Sequence, residues 1–285
     1  MHASLVQIRV DPDEPVESRR ERAAAFVRQA GAAGADLVVL PELWTVGAFA
    51  SESYAAGAEP LTGPTAAALS LAAREAGVWL HGGSIVERAP DAGSAGGPAA
   101  LDGAAGDLLF NTSLLFAPTG ELVRSYRKIH RFGFDRGEAA LMAAGDEVVT
   151  ARLPEAVVGL ATCYDLRFPE LFRLLADAGA ELLVLPAGWP ARRREHWRLL
   201  ARARAVENQA YVLACGTAGT HAGVEQAGHS LVVDPWGEVL AEAGADEEVL
   251  TVELDLARVA TTRAEFPVLR DRRLGLPVPD PARPA

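Results

Sequence analysis

The stretch ADLVVLPELW (residues 35–44) joins a short apolar run to a proline and an acid, Pro41 and Glu42. An apolar run of this length is typical of a β-strand that is buried on both faces. A related stretch, AELLVLPAGW (residues 180–189), follows at an offset of 145 residues, measured from Pro41 to Pro186. Two similar strands at this spacing predict a chain that is built from two related halves.

A second pair of segments supports the repeat. SLLFAPTGELV (residues 113–123) aligns with SLVVDPWGEVL (residues 230–240) at an offset of 117, and each has the pattern of a β-hairpin. The first half is therefore longer by 28 residues, and the Gly-, Ala- and Pro-rich segment 89–107 accounts for much of that excess as a flexible surface loop.

Amphipathic helical patterns alternate with the strands in both halves. We therefore expect an α/β fold in which each half forms a mixed sheet with helices on one face. The two sheets would pack together as a four-layer α-β-β-α sandwich. Residues 1–274 are predicted to form a single domain, and the proline-rich end GLPVPDPARPA (residues 275–285) an extended tail.

The composition limits the classes of function. A formal net charge of −11 argues against a nucleic-acid partner, which would need a basic face. No apolar run is long enough for a membrane helix, and the N-terminal residues do not resemble a signal peptide. Two cysteines, Cys163 and Cys215, do not make a disulfide framework. The expectation is a cytoplasmic protein that acts on a small molecule.

Reactive side chains follow three predicted strands. Glu42 comes directly after the first buried strand, Lys128 follows the hairpin strand, and Cys163 lies at a strand-to-helix turn. Strand ends are where α/β folds gather their sites. Glu42 aligns with Ala187 of the second half, so the acid belongs to one half only, as expected of a site residue. A cysteine near a helix N-terminus is expected to favour the nucleophilic thiolate.

Lys128 is the single lysine of the chain; the other 26 of its 27 basic side chains, counting Lys and Arg, are arginines. A compact ammonium with three donors can stabilise the oxyanion that forms when a thiol attacks a carbonyl carbon. A neighbouring carboxylate can take the thiol proton and pass it to the departing nitrogen. Glu42, Lys128 and Cys163 together therefore predict nucleophilic hydrolysis.

These segments carry a resemblance. LPELW, YRKIH followed by Glu138, and TCYDLRFPELFR resemble the Glu-Lys-Cys signature of the nitrilase superfamily of carbon–nitrogen hydrolases. The resemblance implies an α-β-β-α fold and a thioester mechanism without metal or cofactor. It also implies Cys163 as nucleophile, Glu42 as general base, Lys128 as oxyanion support and Glu138 as the acid that orients Lys128 and the substrate.

Within this superfamily, the segments CYDLRFPEL and GHSLVVDPWGEVL are most similar to the Nit2-type ω-amidases. Such enzymes release ammonia from 2-oxoglutaramate or 2-oxosuccinamate, and relatives act on deaminated glutathione. The resemblance further implies that the Tyr164 backbone N–H completes the oxyanion hole, and that the chain forms a homodimer or a higher homo-oligomer, joined partly through the helix after Cys163. Trp189 is a candidate for the substrate pocket. Residues 142–145 (MAAG) depart from the family pattern, which leaves one pocket wall undefined.

Two other functions stay open. A nitrilase or an N-carbamoyl amidohydrolase would use the same Glu-Lys-Cys site, and an inactive nitrilase-like scaffold would act through protein contacts. Several residues have structural interpretations: a buried filler (Cys215), structural histidines (His130 and His196), polar contacts that hold the nucleophile turn (Asp165 and Arg167) and a glycosylation pattern without meaning in the cytoplasm (residues 111–113). The arginine run 192–194 begins a helix and could meet an anionic substrate group, but a solvated face is the preferred interpretation.

Overall fold

The computed structural model describes residues 1–90, 107–134 and 136–275. The strands are β1 (His2–Gln7), β2 (Leu37–Val39), β3 (Trp79–Pro90), β4 (Asp107–Phe116), β5 (Leu122–Arg127), β6 (Thr150–Arg152), β7 (Val157–Leu160), β8 (Leu182–Ala187), β9 (Tyr211–Gly216), β10 (Thr220–His221), β11 (Val224–Glu225), β12 (Leu231–Val233), β13 (Val239–Glu242) and β14 (Glu248–Glu253). The α-helices are α1 (Val16–Ala32), α2 (Pro64–Ala76), α3 (Glu138–Leu141), α4 (Pro169–Asp177), α5 (Arg194–Asn208) and α6 (Ala257–Glu265). Within these ranges, no helix is long and apolar enough to cross a membrane.

Two six-stranded sheets form the centre of the molecule. Their strand orders are β14-β1-β2-β3-β4-β5 and β6-β7-β8-β9-β12-β13. In each sheet three neighbouring strands are parallel and an antiparallel hairpin follows at one side. The two orders match position by position, which is the arrangement that the repeated segments of the sequence predict.

The edge strands show how the halves are joined. β6 precedes β7 in the chain and pairs with it as a hairpin. Its counterpart β14 lies near the other end of the chain and crosses over to pair with β1, from His2↔Glu253 to Gln7↔Glu248. The first sheet is therefore completed by a strand from the second half of the sequence.

Side-chain alternation along the strands produces the layers. In β2, Leu37 and Val39 belong to the core cluster shared with the second sheet, whereas Val38 belongs to the cluster shared with α1 and α2. Successive side chains of a strand point to opposite faces, so an apolar strand can serve two cores. Buried residues of α4 and α5, such as Phe172 and Trp197, pack on the other face of the second sheet. The four-layer α-β-β-α sandwich is confirmed.

The segment predicted as a loop, residues 89–107, is in part strand. Ala89 and Pro90 end β3, and Asp107 begins β4 as the partner of Pro90. The antiparallel ladder extends the hairpin further than the composition indicates, because backbone pairing tolerates small residues at strand ends. The rest of that prediction (residues 91–106) and residues 276–285 of the predicted tail lie outside the described residues.

Candidate active site

The loop after β2 holds Glu42 in place by close backbone packing. Leu43 has a left-handed backbone with φ 44°, and its N–H donates to Ser84 Oγ at 3.0 Å. Gly83, with φ 66°, lies so close that a Cβ there would be 1.9 Å from the Pro41 carbonyl oxygen. The Gly188 N–H, just beyond β8, donates to Glu42 Oε2 at 2.8 Å. The segment after β2 and the segment after its repeat, β8, therefore meet at the Glu42 carboxylate.

Lys128 lies directly after β5 and bridges two carboxylates. Its Nζ donates to Glu42 Oε1 and to Glu138 Oε2, each at 2.7 Å. The lysine is 2% exposed and the two glutamates are 2% and 6% exposed. The Phe132 N–H also donates to Glu138 Oε2, at 2.9 Å. The three predicted site residues form one buried charge cluster.

Asn111 completes this cluster and was missed as a functional candidate. Its Nδ2 donates to Glu42 Oε1 at 2.8 Å and to Glu138 Oε1 at 2.9 Å. The interpretation of residues 111–113 as a meaningless glycosylation pattern overlooked this role. The available signal was an asparagine in the middle of the apolar strand LLFNTSLLF, since a buried amide needs partners.

Cys163 lies in a sharp turn at the start of a 3-10 helix, Cys163–Arg167. Its φ of 47° is unusual for a residue with a side chain. Asp165 holds the turn as predicted: it is fully buried and accepts from the Thr162 N–H at 2.8 Å and the Tyr126 hydroxyl at 2.7 Å. His130 Nδ1 lies 2.7 Å from the same carboxylate, which agrees with a structural role.

Burial and neighbouring charges shift the pKa values of Lys128 and Glu138. Burial opposes the charge of Lys128, yet the carboxylates of Glu138 and Glu42 outweigh it and raise the pKa of Lys128 well above the lysine value. Burial raises the pKa of the Glu138 carboxyl, with Lys128 acting against this shift and Glu42 adding to it. Lys128 therefore stays an ammonium, while Glu138 takes up a proton more readily than an exposed glutamate.

The protonation of Cys163 differs from the expectation of a helix-stabilised thiolate. Burial and the Glu42 carboxylate raise the pKa of the Cys163 thiol well above its ordinary value. The 3-10 helix has only five residues, so its dipole is weak beside these effects. The Sγ lies 3.7 Å from the Gly188 carbonyl oxygen. Cys163 therefore rests as a thiol, and an attack by its sulfur would require a base to take the proton.

A cavity of about 270 Å³ opens onto the cluster. Tyr164 and Trp189 both line it, and Trp189 is also core, being 3% exposed with its ring 5.5 Å from Trp197. The Tyr164 ring packs edge-on against Phe132 at 5.3 Å. The wall includes the four charged or nucleophilic candidates (Glu42, Lys128, Glu138 and Cys163), aromatic residues (Phe49, Tyr54, Phe132, Tyr164 and Trp189) and three arginines (Arg136, Arg167 and Arg193).

Two arginine predictions are corrected by this wall. Arg193 was placed on a solvated helix start, but it is half-buried and lines the cavity, whereas its neighbour Arg192 is exposed. Arg167 was expected to hold the nucleophile turn, but its guanidinium lies over the Trp189 ring at 4.9 Å and its Nη2 is 3.2 Å from His196 Nδ1. The turn after Cys163 aims Arg167 at the cavity.

The segment 142–145, which departs from the family pattern, lies behind the site. Met142 is fully buried in a cluster with Tyr54, and the Gly145 N–H donates to the Lys128 carbonyl at 2.9 Å. It supports the lysine backbone and does not line the cavity. Cys215 is buried filler as predicted, its Sγ donating to the Val39 carbonyl at 3.3 Å between the sheets.

This fold and this site define a class of protein, and comparison with known proteins shows the same class. The family model for carbon-nitrogen hydrolases matches residues 2–264. The chain belongs to the carbon–nitrogen hydrolase family, and it is an enzyme of that type.

Individual relatives agree with this assignment. The chain is 43% identical to a 2-oxoglutaramate amidase of Paenarthrobacter nicotinovorans over 277 residues, covering 96% of this chain and 90% of the relative. It is 38% identical to the omega-amidase NIT2 of Homo sapiens, covering 90% and 89%. The crystal structure of Saccharomyces cerevisiae Nit3, a nitrilase superfamily member, matches with a TM-score of 0.82 and 32% identity, covering 96% and 97%.

Proposed function

We propose that this chain is an ω-amidase that hydrolyses the terminal carboxamide of a small 2-oxo acid, such as 2-oxoglutaramate, and releases ammonia. The observation that carries the proposal is the buried cluster of Glu42, Lys128, Glu138 and Asn111, whose three charged members line the same cavity as Cys163. The two relatives named for this activity support the substrate class.

Acylation begins at the Cys163 thiol. Its proton passes to Glu42 as Sγ bonds to the amide carbon, since the raised thiol pKa leaves little free thiolate. Negative charge develops on the carbonyl oxygen and is stabilised by the Lys128 ammonium and the Tyr164 backbone N–H. Glu42 then gives the proton to the amide nitrogen, the C–N bond breaks, and ammonia leaves a Cys163 thioester.

Deacylation uses the same groups. Glu42 takes a proton from a water molecule as its oxygen bonds to the thioester carbon. The C–S bond then breaks, Cys163 recovers its proton from Glu42, and the product leaves as a carboxylic acid that gives its proton to solvent. Glu138 and Asn111 act as positioning residues, because their hydrogen bonds fix Lys128 and Glu42 relative to each other.

Ammonia release from 2-oxoglutaramate tests the proposal. Glutamine, a simple nitrile and an N-carbamoyl amino acid are assayed alongside, with the wild type and with Cys163→Ala. We expect release from 2-oxoglutaramate that is lost in the variant. Release from the nitrile or the carbamoyl compound instead would reassign the enzyme to one of the alternatives. No turnover and no mass increase at Cys163 with a reactive acyl donor would favour the scaffold.

We also propose that the enzyme works in the cytoplasm, where a catalytic thiol stays reduced. Residues 1–274 are proposed to act as a single domain, since β14 completes the first sheet by pairing with β1. The relatives cover nearly the whole chain, which supports the same division.

A homodimer is proposed around the helix after the nucleophile. An apolar groove is lined by Arg173 of α4, Val206 of α5, Trp236 and Phe266. Val206, Trp236 and Phe266 are 49%, 45% and 55% exposed, and Arg173 Nη1 is buried without a partner in the described residues. A second copy would cover the aromatic pair and supply that partner. Light scattering of the wild type and of Val206→Glu is the test, and a monomeric wild type would contradict it.

A further inference from the structure

The mechanism leaves the three arginines of the cavity wall without a function, and two of them are half-buried, whereas Arg136 is exposed. Arg167 and Arg193 line the same space as Cys163. Among the described residues, the ion pairs within this wall are the two that Lys128 makes with Glu42 and Glu138. The positive charge of the two arginines therefore faces a cavity whose acids are already engaged, in a chain whose net charge is −11.

Aromatic rings pack against the guanidinium groups of both Arg167 and Arg193. The Arg193 guanidinium carbon lies 5.2 Å from the centre of the Phe132 ring, and the Arg167 carbon lies 4.9 Å from the Trp189 ring. Trp189 Nε1 also donates to the Arg193 carbonyl at 2.8 Å, which fixes the backbone of that residue. A stacked guanidinium keeps its in-plane N–H donors free for a carboxylate.

The surroundings of Arg193 leave its charge uncompensated. Burial lowers its pKa, and the neighbouring Arg192 and Arg167 lower it further. Like charges that are packed together in this way are costly without an anion. A bound carboxylate would offset both the burial and the repulsion.

Chain length places the anion in the same cavity. In a 2-oxo acid with a terminal amide of five carbons, the carboxylate carbon lies only about 5 Å from the amide carbon. When the amide carbon is against Cys163 Sγ, the carboxylate must still lie within the cavity. Two N–H donors of Lys128 are engaged by Glu42 and Glu138, and the third is assigned to the oxyanion, so Lys128 has no donor left for the carboxylate.

We propose that Arg193, assisted by Arg167, binds the carboxylate of the substrate and selects amides that carry an anionic group. This inference rests on the proposed ω-amidase function and identifies its specificity-determining residue. Arg193 binds the substrate away from the reacting bond, so its loss should raise KM far more than it lowers kcat.

The experiment compares two substrates of the same shape. 2-Oxoglutaramate carries the carboxylate, and 4-oxopentanamide has a methyl group in its place. Both are assayed with the wild type, Arg193→Ala, Arg193→Lys and Arg192→Ala, which is the matched control for loss of one exposed positive charge. Arg193→Ala should raise KM for 2-oxoglutaramate roughly 10- to 100-fold. Its loss of kcat/KM for 4-oxopentanamide should be at least tenfold smaller than its loss for 2-oxoglutaramate, and a thermal melt checks that the variant is folded.

Arg193→Lys should recover part of the affinity, because the charge returns without the planar fork. Arg192→Ala should behave as the wild type. An unchanged KM for 2-oxoglutaramate in Arg193→Ala, or equal losses for both substrates, would overturn the inference and leave the proposed function intact. A wild type that releases ammonia from neither amide would instead overturn the proposed function.

Discussion

At the scale of the residue, the identity of Lys128 follows from the space around it. Its ammonium lies between two carboxylate oxygens, each 2.7 Å away, and is 2% exposed. Three tetrahedral N–H donors can serve Glu42, Glu138 and a developing oxyanion at once. A planar guanidinium is larger and presents its donors in one plane. The other basic residues that line the cavity, Arg136, Arg167 and Arg193, are arginines.

Lys128→Arg should therefore lose most activity while keeping the charge. We expect kcat/KM for 2-oxoglutaramate to fall at least 100-fold, because the larger, planar guanidinium cannot donate to both glutamates and to the oxyanion at once. Steady-state kinetics and a thermal melt of the variant are the measurements. A folded variant with near-normal kcat would contradict the point-charge argument.

The pH profile should report on Glu138. Its pKa is raised from 4.5, first by burial and also by Glu42, so it becomes protonated at a higher pH than an exposed glutamate. Protonation weakens its hold on Lys128, and activity should fall on the acid side at a pH above 4.5. In Glu138→Gln, kcat should be lower at every pH, and the part of the acid limb due to Glu138 should be absent. An unchanged acid limb would show that Glu138 does not control it.

The sequence could predict those site residues that end strands. Glu42 and Cys163 each follow a buried apolar strand and Lys128 follows a hairpin strand, and α/β folds gather their sites at such strand ends. Asn111 and Arg193 could not be recognised in this way. Asn111 lies within a strand, and only the pairing of β4 with β5 brings it to Lys128. Arg193 is one of three consecutive arginines, and the turn before α5 decides which one enters the cavity.

At the scale of the element, the contact between β3 and the Glu42 loop links packing to catalysis. The chain at Gly83 approaches Pro41, the residue before the proposed base, more closely than any Cβ would allow. Ser84, the next residue, accepts the hydrogen bond from Leu43. The backbone of β3 therefore fixes the conformation of the loop that carries Glu42.

Gly83→Ala tests this contact, and Gly77→Ala is its matched control. The two glycines have nearly the same backbone, φ 66° and 68°, but a Cβ at Gly77 would meet nothing within 4 Å. Gly77→Ala should cost about 1 kcal/mol of unfolding free energy from backbone strain alone. Gly83→Ala should cost about 3 kcal/mol or more, and lower kcat at least tenfold. Urea unfolding and kinetics of both variants are the measurements. Equal losses of stability and of kcat in the two variants would contradict the role of the β3 backbone in fixing the loop.

Hairpins and buried strands were predictable because their turns and apolar runs are local signals. The hairpin in residues 113–123 and the strand β8 lie where the pattern places them. The short strands β6, β10 and β11 and the helix α6 were missed. β6 (TAR), β10 (TH) and β11 (VE) contain no apolar run, unlike the equally short β2 and β12, and α6 has few apolar positions, so tertiary pairing decides these elements.

At the scale of the whole molecule, the two sheets share one core through the alternation of their strands. Ala3 and Leu5 of β1 pack toward the second sheet, and Val6 packs toward α1 and α2. The repeat in the sequence predicts this symmetry. It does not predict that β14 crosses to the first sheet, because its partner β1 is about 250 residues away and leaves no local trace.

Such a core also buries groups that would be charged in the unfolded chain. His81 of β3 lies between Val39 and Leu115 and is fully buried, and neither ring nitrogen has a partner in the described residues. Burial lowers its pKa from 6.5 to about 4. Between these values the unfolded chain binds a proton that the folded chain does not, so stability must fall as the pH falls.

His81→Leu should remove this acid sensitivity. The wild type should lose up to about 3 kcal/mol of unfolding free energy through His81 between pH 6.5 and 4, on top of losses from other groups. The variant places an apolar side chain of similar size in the core and has no imidazole that could bind a proton. Its unfolding free energy, measured by urea titration from pH 4 to 8, should follow the wild type above pH 7 and decline less steeply below pH 6.5. Parallel curves over the whole range would show that the unfolding of this core is not linked to the protonation of His81.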